Sequence, residues 1–228
     1  DRDLHLYPSG LNPALGLRGL RLCLRRPEWF RRHLRAILRA SALAPIRLML
    51  PMVSTVYEVQ QTRQLIEQLR SELRAEGQKV AEHLPVGIMV EVPAVAMAAH
   101  AFAGVADFFS IGTNDLTQYA LAVDRSDDDV NALFDPLHVG VLSMIQHTIA
   151  AGEAAGIPVA MCGEMASNPQ WTALLVGLGL RHFSMFPGAI PEVKAAIRAT
   201  SVEDAKVMAL AALAGSSELF AHVDDIET

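Results

Sequence analysis

Asp107-Phe108-Phe109-Ser110-Ile111-Gly112-Thr113-Asn114-Asp115-Leu116-Thr117-Gln118-Tyr119-Ala120-Leu121-Ala122-Val123-Asp124-Arg125 passes from a short apolar run through a polar turn into a helical pattern, and reads as strand, loop and helix. Asp107 to Ile111 is too short and too apolar for a surface helix, Gly112 permits a tight exit, and Asn114 or Asp115 is placed to cap the amphipathic turn that follows. Asn114 and Asp115 then sit at the C-terminal end of a strand. In a parallel α/β protein that edge is where ligands bind, because the strand holds the backbone still while the loop presents polar groups. An Asx turn that only caps a helix is the alternative, and the rest of the chain decides between them.

Working outward, Val86 to Val92 is a second apolar run, interrupted only by Glu91, and Ile46 to Leu50, closed by Pro51, is another. Ile157 to Cys162 and the short His182 to Met185 repeat the pattern downstream. Helical periodicity fills the intervals. From Glu28, Phe30, Leu34, Ile37 and Leu38 share one face and Arg31, Arg32, Arg35 and Arg39 take the others. Thr55 and Glu58 form a capping box for a long helix with Val59, Thr62, Ile66, Leu69 and Leu73 inward, ended by Gly77. A helix of small residues runs to Ala103, one from Val139 to Ala155 stops at Gly156, and others start at Asn168-Pro169, Pro191 and Ser201. Five strand–helix alternations with long connections predict a parallel sheet, either open or a TIM-type (β/α)8 barrel incomplete at its N-terminus. Residues 1–17, broken by Pro8, Gly10, Pro13 and Gly16, read as a lead-in, 214–228 as a polar C-terminal tail, and 1–228 as a single domain.

With 51% hydrophobic residues in 228, the chain can bury a sizeable core. It has no run of 18 apolar residues free of charges and breakers, and Asp1-Arg2-Asp3-Leu4-His5 is no signal peptide, so a cytoplasmic protein without membrane contact is expected. Cys23 and Cys162 form neither a disulfide framework nor a zinc motif. From Arg18 to Arg47 nine arginines face one acid, Glu28, and the net charge of −6 leaves −14 on the remainder. That acidic remainder, the few aromatics and the lack of a nucleic-acid motif argue against a nucleic-acid partner; most of the arginines read as the wet face of one helix.

Three strands end in groups capable of chemistry: Glu91 in Met89-Val90-Glu91-Val92-Pro93, Asn114-Asp115, and Cys162-Gly163-Glu164. A carboxylate inside an apolar run is costly to bury alone, so Glu91 should be paired or bound to a metal. With Asp115 one strand over, the pair has the composition of a magnesium site, which takes one or two carboxylates and leaves positions for water and substrate oxygens. Arg18 and Arg125 are candidate anion clamps or surface ion pairs, and spacing does not choose. Cys162 beside Gly163 could move a proton if its pKa suits, or be inert packing.

Asn12-Pro13-Ala14-Leu15-Gly16-Leu17-Arg18, Leu34-Arg35-Ala36-Ile37-Leu38-Arg39-Ala40-Ser41, Met49-Leu50-Pro51-Met52, the stretch 107–125 and Met161-Cys162-Gly163-Glu164 together resemble the phosphoenolpyruvate (PEP)-utilising enzyme family, most closely its Enzyme I branch, the PEP-binding C-terminal domain of the bacterial phosphotransferase system. The resemblance covers nearly the whole chain. It implies a TIM-type barrel that binds PEP with Mg2+, with Glu91 and Asp115 as metal ligands, Asn114, Asp115 and Arg125 at the substrate, Arg18 as an active-site arginine, and Cys162 as the general acid that protonates enolpyruvate. It also implies transfer of the phosphoryl group to a histidine on a separate domain and then to a histidine-containing phosphocarrier protein for sugar uptake, and a homodimer.

Departures from the family pattern carry expectations too. The family's first barrel strands carry two further arginines, and its phosphohistidine motif and carrier-docking helices have no counterpart here, so this chain alone is expected to complete little or no phosphotransfer. Phe186-Pro187-Gly188-Ala189-Ile190 departs from the small polar residues usual after the last strand. Three other functions compete: that of the sister enzymes pyruvate phosphate dikinase and PEP synthase, a Mg2+-dependent enolate lyase, and a non-catalytic dimerisation and ligand-sensing module.

Overall fold

A computed structural model describes residues 12–215. Its centre is a five-stranded, wholly parallel sheet in the order β1 (Leu48–Leu50), β2 (Val86–Val90), β3 (Phe109–Gly112), β4 (Val159–Cys162), β5 (His182–Phe183). Spatial order equals sequence order, so every crossover advances in one direction, with no reversal point such as a doubly wound sheet has. This is the winding of a TIM-type (β/α) barrel, and the five expected units are all present. The ladder pairs Leu50 with Ile88, Val90 with Ile111 and Gly112 with Cys162, which brings the C-terminal ends of β1 to β4 to one edge.

Burial explains why these runs are strands. All four residues of β3 are buried, as a parallel strand covered on both faces requires. Helix α3 (Val56–Ala75) buries Val59, Thr62, Ile66, Leu69 and Leu73, and Thr55 and Glu58 make the expected capping box. Helix α7 (Val139–Ala155) ends at Gly156, whose φ of 69° is left-handed. The small-residue helix divides at Ala98 into α4 (Pro93–Met97) and α5 (Ala99–Ala103). After β4 come α8 (Glu164–Ser167), a 3-10 turn at Pro169–Trp171 capped by Asn168, and α9 (Thr172–Gly177). Helices α10 (Ile190–Ala199) and α11 (Val202–Leu213) follow β5, the latter capped by Ser201.

Two expectations need correction. The arginine block spans two helices, α1 (Gly19–Arg25) and α2 (Pro27–Ala40). Nor is it wet throughout: Arg25, Arg26, Arg32 and Arg39 are exposed, but Arg31 donates to both Glu72 oxygens at 2.8 and 3.0 Å and Arg35 pairs with Glu72 and Glu76, so these two charges fasten α2 to α3. The lead-in and the C-terminal tail lie largely outside the described residues; within them, Pro13–Leu15 is one 3-10 turn and a helix begins at Gly19.

Helix α9 meets α11 with no room to spare at Gly177, where a Cβ would overlap the Ala205 carbonyl and lie 3.1 Å from the Ala209 Cβ. Gly177→Ala is expected to cost about 2 kcal/mol by forcing the two helices apart, measurable as a lower urea midpoint at unchanged m-value.

Candidate active site

The residues that follow β1 to β4 converge. Glu91, immediately after β2, is only 4% exposed. Its Oε1 accepts a 2.6 Å hydrogen bond from the backbone N–H of Met52, just past β1. Met52 adopts a φ of +56°, rare for a residue with a side chain, and this turns its N–H toward the carboxylate. Opposite stands Asp115, close enough to hydrogen-bond Glu91 when one of the two is protonated. Burial above all, with the Asp115 charge adding to it against the Met52 N–H and Arg18, raises the Glu91 pKa to about 7.

Helix α6 (Thr113–Leu121) leaves β3 with no intervening loop, so Gly112 is the N-cap position and no side chain caps the helix. Asn114 and Asp115 therefore lie in its first turn and not at a cap, which corrects the expectation and frees both side chains. Gly112 has to be small: a Cβ there would sit 2.9 Å from Met89 Sδ and 3.1 Å from Glu91 Oε2.

Arg18 joins the carboxylates, its Nη2 lying 3.3 Å from Asp115 Oδ2 and its Nη1 donating to the Tyr119 hydroxyl at 3.3 Å. Tyr119, one helical turn beyond Asp115, donates in turn to the Ala14 carbonyl at 2.6 Å and so anchors the Asn12–Leu15 segment over the site. Arg125 belongs to a different group. Its Nη1 is 3.5 Å from Glu164 Oε1, an oxygen that also accepts from Asn114 Nδ2 at 3.1 Å, while the Glu164 N–H donates to Asn114 Oδ1 at 3.2 Å. Gly163, at a φ of +96°, supplies the left-handed step between Cys162 and Glu164, and a Cβ on it would collide with Thr113 Oγ1 at 2.7 Å.

Cys162 ends β4 between these groups. Its Sγ donates to the Ile111 carbonyl and accepts from Ser110 Oγ, each at 3.6 Å. Burial pushes the thiol pKa up, with the Glu91 charge adding and the Ser110 hydrogen bond opposing, so near neutral pH the sulfur carries its proton. Cys23, the other free thiol, lies in α1 and takes part in none of these contacts.

The structure thus brings together Glu91, Asp115 and Arg18, and separately Asn114 and Arg125 through Glu164, with Cys162 on the same sheet edge. Sequence reasoning gave no role to Met52, Ser110 or Tyr119, and named Glu164 only within the group that ends β4. The spacing of Tyr119 from Asp115 was a usable signal; the backbone donor at Met52 left no trace in residue type. Among the described residues no group of three or more His, Cys, Asp or Glu side chains forms a metal cluster. The Glu91 and Asp115 pair nonetheless has the composition of a hard-cation site, two carboxylates at one sheet edge with Arg18 beside Asp115.

Comparison with known proteins agrees with the resemblance. Residues 4–202 match the family described as PEP-utilising enzyme, PEP-binding domain. Among curated relatives named phosphoenolpyruvate-protein phosphotransferase, that of Cupriavidus necator is 48% identical over 188 residues, 82% of this chain and 32% of its own length. That of Haemophilus influenzae is 45% identical over 206 residues, 90% of this chain and 36% of its own. The chain therefore spans about a third of the length of the curated relatives it matches. A crystal structure of a citrate lyase from Burkholderia xenovorans shares the fold, with a TM-score of 0.56 at 24% identity over 83% of this chain and 60% of that one. This chain belongs to the PEP-utilising enzyme family and carries its PEP-binding domain.

Proposed function

We propose that the chain is the PEP-binding catalytic domain of a cytoplasmic, homodimeric phosphoenolpyruvate-protein phosphotransferase, acting on PEP and passing its phosphoryl group to a histidine of a separate domain and from there to a phosphocarrier protein for sugar uptake. The observation that carries the reading is the meeting of Glu91, Asp115 and Arg18 on the edge where Cys162 presents a protonated thiol. Among the described residues no helix is long and apolar enough to cross a membrane.

Glu91 and Asp115 would hold Mg2+. Bound there, the ion would supply positive charge for phosphoryl and enolate oxygens. Arg18, Asn114 and Arg125 are the groups that would meet the anionic substrate, which makes this site one of positioning and electrostatics. Cys162 gives its proton to the methylene carbon: the S–H bond breaks, a C–H bond forms, and the S–H electron pair remains on sulfur.

Calorimetry tests the reading. PEP is expected to bind when Mg2+ is present and to lose most of its affinity when Mg2+ is withheld, both in this chain and in one extended upstream by the family's first barrel strands. Absence of binding in both would overturn it.

A further inference from the structure

Thiol chemistry at Cys162 leaves a charge behind, and something has to receive it. In the resting arrangement the sulfur makes two contacts with β3, giving its proton to the Ile111 carbonyl and accepting the Ser110 hydroxyl, each at 3.6 Å. Only the second survives proton transfer, because a thiolate has no proton to offer a carbonyl and is repelled by its oxygen. Ser110 is the one side-chain hydrogen-bond donor to the sulfur among the described residues. It is 7% exposed and lies in the middle of β3, where the ladder to Ala160 fixes its backbone. Glu91 faces the sulfur from the end of β2 with charge of the wrong sign.

We propose that Ser110 is a positioning residue for the proton-transfer step: its hydroxyl holds the Cys162 sulfur at the end of β4 and stabilises the thiolate formed when the thiol proton moves to the substrate's methylene carbon. The inference rests on the proton-donor role assigned above to Cys162. Atoms and charge balance without a further reactant, since the thiolate regains a proton from solvent between turnovers. The direction in which Ser110 acts on the thiol, favouring the ionised form against burial, agrees with this role.

Exchange of pyruvate's methyl hydrogens with deuterated solvent reads this step without any phosphoryl acceptor, and Mg2+-dependent oxalate binding reads the integrity of the carboxylate site. In Ser110→Ala, exchange is expected to fall about 30-fold, the size of a lost hydrogen bond to a charged group, with oxalate affinity unchanged. Adding Ser110→Ala to Cys162→Ala should bring no further loss. Unchanged exchange, a parallel fall in oxalate affinity, or an independent loss in the double variant would each overturn the proposal.

Alkylation separates this proposal from the function it rests on. In a Cys23→Ala background, Cys162 should react with iodoacetamide about tenfold more slowly near neutral pH once Ser110 is alanine, because less thiolate is present. If the parent chain shows no exchange, the functional reading falls and alkylation alone decides whether Ser110 stabilises the thiolate; an equal or faster alkylation rate in Ser110→Ala rejects it.

Discussion

Cys162→Ala is expected to slow Mg2+-dependent exchange of pyruvate's methyl hydrogens by about 100-fold or more, the usual worth of a positioned acid or base, while PEP binding stays within about threefold. The argument is one of protonation state and place. A donor must hold its proton at working pH, and burial keeps the Cys162 thiol protonated. It must also stand where the substrate lies, and the pairing of Gly112 with Cys162 sets the sulfur on the edge that holds Glu91 and Asp115. Enolisation needs no phosphoryl acceptor, so this partial reaction should proceed even where net phosphotransfer by this chain does not. Proton and deuterium NMR of pyruvate reads the rate. Full exchange in Cys162→Ala would move the proton-donor role elsewhere and favour a lyase that uses only the carboxylate pair.

The second large effect is on stability and comes from Glu91. In the fold its pKa is raised from 4.5 to about 7, chiefly by burial. The folded chain therefore binds this proton more tightly than the unfolded chain does. The stability it contributes is complete below about pH 4.5 and is lost as pH rises to about 7, a fall of roughly 3 kcal/mol in the metal-free protein. Glu91→Gln retains an oxygen for the Met52 N–H but carries no charge. Above pH 7 that variant should melt roughly 6–12 °C higher than the parent in the absence of Mg2+ and show a flatter pH profile. Mg2+ should narrow the gap by stabilising only the parent, since it binds the ionised pair. Thermal melts at several pH values, with and without chelator, decide the matter. A flat parent profile, or equal stabilisation of both proteins by Mg2+, would remove Glu91 as a strained metal ligand.

Features fixed by short-range pattern were legible in the sequence. An apolar run that breaks at Glu91, at Asn114-Asp115 or at Cys162-Gly163-Glu164 marks the ends of β2, β3 and β4, which puts Glu91, Asp115 and Cys162 on one edge from residue type alone. Thr55 and Glu58 declared their helix start by spacing alone. What escaped depended on partners far along the chain or on backbone angles. Arg31 and Arg35 of α2 looked solvated because Glu72 and Glu76 lie some forty residues away. Tyr119 gave no sign of reaching Ala14. Asn114 was read as a cap because residue type favours it there, but β3 runs straight into α6, and Asn114 is drawn instead to Glu164. Met52 needed a left-handed backbone at a residue that seldom adopts one.

Glu164 already sits where an anion would be welcome. Its carboxylate satisfies the Asn114 amide and lies beside the Arg125 guanidinium, and its own side chain is 76% exposed, so it can swing into solvent at little cost. On the proposed reading, an anion arriving at Asn114 and Arg125 would replace a resident carboxylate instead of filling a void. The affinity read there would be a difference between two carboxylate- or phosphate-like occupants, one leaving as the other arrives.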